Sequence, residues 1–87
     1  MQASKDDTLK RINYIEGHIA GIKKMVNEDQ YCVDVLKQTY AVRRAIEKLE
    51  ALILDGHLRG CVADGIRENG GEAVINELVD LFALNNR

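Results

Sequence analysis

The sequence predicts an all-α fold of three helices, short–long–short, and three observations carry that prediction. No proline interrupts the chain. Short alternating β-branched runs bounded by turns, the mark of strands, are missing. Apolar residues instead recur at steps of three and four, the spacing that lines one side of a helix. At 87 residues the chain reads as one domain, 1–87. So small a core usually draws further stability from self-association, a metal or disulfides.

Helix 1 is expected over about 5–27. Ser4-Lys5-Asp6-Asp7 is a variant capping box, its Ser hydroxyl placed to accept an orphan N–H of the first turn. Leu9, Ile12, Ile15, Ile19, Ile22 and Val26 form an amphipathic stripe, which the polar Asn27-Glu28-Asp29-Gln30 ends. Helix 2 is expected over about 31–64. Its stripe of Cys32, Val35, Thr39, Val42, Ile46, Leu49, Ile53 and Gly56 is a seven-residue repeat, the kind that packs one long helix along another. Asn69-Gly70-Gly71 is the clearest break, because Gly reaches the left-handed conformation that ends helices.

Helix 3 is expected over about 71–84, with Glu72 in its first turn against the positive end of the dipole. Val74, Ile75, Leu78, Val79, Leu81, Phe82 and Leu84 make it apolar around much of its circumference, so it needs more than one neighbour. Helix 2 outruns what helices 1 and 3 can cover. That length points to self-association.

The net charge of −2 does not advertise nucleic-acid binding, which rests on Lys and Arg neutralising phosphates. The average hides a gradient. Residues 1–60 carry ten basic residues against nine acids, whereas Arg67 and Arg87 face five acids in residues 61–87. Any basic face therefore lies in the first two-thirds. Two cysteines fall short of a disulfide framework, and the chain shows neither a charged-then-apolar leader nor a run of about 18 apolar residues. These features place the chain in the cytoplasm, without a membrane partner, where reduced thiols serve as ligands or reactive groups. There is no acid–base pair and no phosphate loop, so neither an enzyme nor an organic small-molecule substrate is expected.

His57 and Cys61 are four residues apart, which on a helix stacks them on one face as a pair of metal ligands. Cys32 lies far upstream. On an unbroken helix it sits roughly 37 Å from His57, too far to share an ion. Either Cys32 is a small core residue with no part in the pair, or it meets His57 and Cys61 of another subunit. The second outcome needs two copies of helix 2 crossing antiparallel near Ala45 and Ile46, and two-fold symmetry then gives two identical sites. Two thiolates and one imidazole make a soft three-donor set that suits Cu(I). Structural zinc wants four ligands, and nickel or cobalt want more nitrogen or oxygen.

At these residues the chain resembles the CsoR/RcnR family of small bacterial repressors, over essentially its whole length. The Cys32…His57-x-x-x-Cys61 spacing, the RINYIEGHIAGI segment from Arg11 and the NGGEAVINEL start of helix 3 carry the resemblance. It implies an antiparallel helical dimer assembling into a dimer of dimers, a homotetramer without a classical helix-turn-helix. It implies operator binding in the metal-free state and release when Cu(I) binds. The ligand set Cys32, His57 and Cys61 resembles the copper-sensing branch. The nickel/cobalt branch typically has His at the last position and an added N-terminal His, the formaldehyde branch replaces Cys61, and the persulfide branch lacks His57.

Tyr31 and Glu77 match the copper branch's pair on the non-coordinating nitrogen of the ligand histidine, where they would fix the ring and link metal binding to helix 3. Arg11 and Lys48 fall where the family has DNA-contacting basic residues. Charge alone adds Lys10, Lys23, Lys24, Arg43 and Arg44. The chain also departs from its relatives: Tyr14 and Ala20 occupy commonly basic positions, and His18 stands where Gln is frequent. Fewer charges should weaken phosphate contacts. The expected function is a copper(I)-responsive repressor. One rival is a thiol sensor of reactive sulfur, oxidant or electrophile through Cys32 and Cys61, and a second is a copper-buffering protein without DNA activity.

Overall fold

The computed structural model describes residues 3–85; the two residues at each end of the expected 1–87 domain lie outside the described residues. The predicted all-α class is borne out, with three helical rods and no strand among the described residues. Helix α1 is Lys5–Asn27, opened by Ser4, whose hydroxyl accepts the Asp7 N–H at 3.3 Å. Its end is a Schellman turn: the Gln30 N–H reaches the Met25 carbonyl and the Asp29 N–H the Val26 carbonyl. Asp29 takes the left-handed conformation there, at φ 53°.

The second rod is compound. Helix α2, Cys32–His57, passes without a break into a π-helical turn, Leu58–Val62, and then into α3, Ala63–Asn69. The residues flanking each junction keep right-handed helical angles, so the rod runs over 32–69 and outlasts its expected end near residue 64. Gly70 and Gly71, at φ 72° and 86°, reverse the chain into α4, Glu72–Asn85. A Cβ at Gly71 would lie 2.7 Å from Ile66 Cγ1, so this turn needs glycine for space as well as for φ.

The α1–α2 hairpin carries most of the packing. Thr8 and Ile15 on α1 and Val42 on α2 are its buried residues, with Ile12, Ile22, Val35, Thr39 and Leu49 half-buried around them. Each predicted stripe is thereby split. Leu9, Ile19 and Val26 of the α1 stripe, and Ile46 of the α2 stripe, are exposed. The α2 stripe, a repeat of the kind that packs one long helix along another, is partly taken up within the chain: Val42 is buried and Val35, Thr39 and Leu49 are half-buried. A different apolar set, Val33, Leu36 and Tyr40, stays open. Ala3 closes the far end of α2: it is buried, and a Cβ on Gly56 would meet its backbone at 2.6 Å.

The result is a slab of 55 × 30 × 13 Å, one helix thick. No helix among the described residues is long and apolar enough to cross a membrane.

Candidate functional site

His57 closes α2 and Cys61 lies inside the π turn that follows. Regular α-helical stacking of the two was the sequence expectation. The structure instead inserts a turn of i→i+5 bonding between them, a feature that recurs at functional sites. Gly60, next to Cys61, is a weak helix former where the ladder changes. Cys61 is half-buried and Cys32 exposed, and both thiols are free.

Glu77, on α4, reaches across to the rod. Its Oε1 lies 2.8 Å from His57 Nε2. A hydrogen bond from Nε2–H to that carboxylate puts the imidazole lone pair on Nδ1. His57 also borders an apolar recess of about 370 Å³ between α2 and α4, walled by Ala51, Ile53, Leu54, Leu81 and Phe82. One side of the ring is therefore anchored to a carboxylate and another faces hydrocarbon.

Cys32 and Tyr31 sit at the opposite end of α2. Tyr31 is the residue before the helix, and its carbonyl accepts the Asp34 and Val35 N–H groups. The length of α2 holds both residues roughly 37 Å from His57 within one chain. Among the described residues, no three of His, Cys, Asp and Glu in one chain converge as a metal site.

The candidate DNA-contacting residues divide in the same way. Lys10 and Arg11 of α1 and Arg44 and Lys48 of α2 line one groove, together with Tyr14, Ala41 and Ala45. Among the described residues, none of those four cations is in an ion pair. The other three lie outside that groove. Lys24 stands 3.9 Å from Glu28, Arg43 stacks its guanidinium 5.1 Å from the Tyr40 ring centre, and Lys23 lies elsewhere on α1.

The match to known proteins covers this whole arrangement. Residues 4–83 fit the family described as metal-sensitive transcriptional repressors. The chain belongs to that family. It is 44% identical over 78 residues to the copper-sensing transcriptional repressor CsoR of Bacillus subtilis (strain 168), covering 90% of this chain and 77% of the relative. Its fold is similar to the copper-sensing repressor CsoR with Cu(I) from Geobacillus thermodenitrificans NG80-2, at a TM-score of 0.92 and 33% identity, covering 100% of this chain and 94% of that one. It is also similar to the nickel-responsive transcriptional regulator InrS, at a TM-score of 0.81 and 37% identity, covering 95% and 93% of the two chains. Family membership makes the chain a transcriptional regulator and implies DNA binding and self-association.

Similarity to both a copper and a nickel protein means that the fold does not choose the metal. Two free thiols and an imidazole are a soft candidate donor set of the kind that suits Cu(I).

Three features had escaped the sequence reading. The π turn has no side-chain signature. The apolar recess beside His57 depends on how α4 docks. The third is a contact across the hairpin, His18 Nε2 to Gln38 Oε1 at 2.8 Å, whose partners no local spacing relates.

Proposed function

We propose that this protein is a cytoplasmic copper(I)-responsive repressor, binding operator DNA metal-free and releasing it when Cu(I) occupies a site built from two subunits. Cys32 of one protomer joins His57 and Cys61 of its partner, in an antiparallel dimer that pairs again into a homotetramer. The observation that carries the reading is the His57–Glu77 contact. With Nε2 engaged by Glu77, Nδ1 is the nitrogen left for a metal, one turn from the Cys61 thiol. The copper-sensing names of similar proteins support the same ion.

Cys32 of one protomer and His57 and Cys61 of its partner would hold Cu(I), which when bound would supply a soft cation shared by two subunits. Cys32 and Cys61 lose their thiol protons on ligation, which couples occupancy to pH. His57, as a ligand, would carry occupancy of the site to Glu77, whose Oε1 lies 2.8 Å from its Nε2, and so to α4. The exposed apolar set near Cys32, Val33, Leu36 and Tyr40, supports placing the subunit contact at that end of α2. Lys10, Arg11, Arg44 and Lys48 form the operator-facing groove.

Linkage gives the test. Anaerobic Cu(I) titrations with and without a duplex of the protein's own promoter should yield one shared coupling factor, on the order of 5- to 150-fold. The thiol-sensor rival predicts intersubunit cross-links on oxidation and no such coupling. An operator affinity unchanged by Cu(I) would end the copper reading.

A further inference from the structure

The groove between α1 and α2 contains one uncharged polar side chain, Tyr14. Its neighbours there are the cations Lys10, Arg11, Arg44 and Lys48, none of them in an ion pair among the described residues, and the small Ala41 and Ala45, with no carboxylate in the lining. Tyr14 is 65% exposed. An exposed phenol among cations is usually mobile, yet this one is braced. His18 meets it edge-on, with ring centres 5.9 Å apart at 78°. His18 is itself tied to Gln38 on the other helix at 2.8 Å. Both walls of the groove thereby set the ring's position.

We propose that Tyr14 contacts operator DNA directly, its hydroxyl donating a hydrogen bond to a backbone phosphate that the surrounding cations hold. This rests on the operator-binding reading above. A phosphate oxygen is the acceptor that four cations along one groove recruit, and tyrosine is among the side chains that meet DNA there. The ring has only two side-chain torsions to fix, and His18 restrains them before DNA arrives, so little entropy is lost on binding. The contact replaces a charge with a directed neutral bond. It adds affinity without releasing a counterion.

That distinction is measurable, because only neutralised phosphates steepen the dependence of affinity on salt. Operator binding is followed across a salt series for the metal-free full chain, using a duplex of the protein's own promoter. Tyr14→Phe keeps the ring against His18 and removes only the hydroxyl. It should weaken binding about tenfold at every salt concentration and leave the slope of log affinity against log salt unchanged. Tyr14→Lys should steepen that slope by about 0.9 for each phosphate newly neutralised, and Lys48→Ala should flatten it. If Lys48→Ala weakens binding while Tyr14→Phe binds like the parent, the Tyr14 contact is wrong and the operator reading stands. If the parent protein does not bind the duplex, both fall.

Discussion

A carboxylate hydrogen-bonded to one nitrogen of an imidazole fixes the tautomer and the ring plane, and so selects the nitrogen that can meet a metal. Glu77 does this to His57 from beyond the Gly70-Gly71 turn. Cys32→Ala and Cys61→Ala each remove one proposed donor and touch nothing in the groove proposed to face the operator. Both variants should hold operator DNA as the parent does and lose copper-driven release in a shift assay. Release persisting in either variant removes that cysteine from the site. Glu77→Ala leaves all three proposed donors in place, so Cu(I) binding should fall by no more than about 10- to 100-fold. Its operator should nevertheless stay bound at saturating Cu(I), and full release would disconnect α4 from the response. The three proposed donors are readable only as residue types at a spacing, and the length of a helix turns that spacing into a question about two chains. Glu77 was different. No periodicity relates residues on either side of a glycine turn, so only resemblance pointed to it.

Helices α1 and α2 were readable because side-chain period reports helix, but period does not say which half of a stripe a neighbour covers. Ile15 and Val42 are buried between them while Ile19 and Ile46 of the same stripes face outward. Nor could it show the π turn, where the backbone gains a residue and the side chains carry no mark of it. The start of α4 was legible, since two successive glycines are a strong stop. The turn also carries a prediction. Gly71→Ala places a Cβ 2.7 Å from Ile66 Cγ1 on a backbone of φ 86°. That should cost about 1–3 kcal/mol, concentrated at the α3–α4 junction. Amide hydrogen exchange in α4 should accelerate while the α1–α2 hairpin keeps its protection. Because Glu77 rides on α4, the variant should also release operator poorly with Cu(I). Uniform loss of protection would instead mean that α4 and the hairpin open as one unit.

The dimensions of the single chain argue for a partner independently of any metal. Its accessible surface is 6908 Å², against roughly 5,200 Å² for a compact monomer of this mass, an excess of about 1,700 Å². Its radius of gyration is 17.4 Å where a compact domain of this length has about 12 Å. No large side chain is fully buried among the described residues. Two apolar groups wait for cover, one on α4 around Val79 and Phe82, the other on α2 at Val33, Leu36 and Tyr40. The second lies within three turns of Cys32. If the copper site is shared between chains, damage to this patch must damage the site without touching a ligand. Leu36→Glu puts a carboxylate into the proposed contact, where desolvation should weaken assembly by about 3 kcal/mol, or roughly 100-fold. Sedimentation should show lighter species at micromolar concentration. Cu(I) affinity should fall in step with dissociation and recover as protein concentration rises, because raising concentration re-forms the pair. A dissociated variant that still bound Cu(I) at parental affinity would place all the ligands in one chain, which the length of α2 forbids for Cys32 with His57. The copper site would then have to be sought without Cys32.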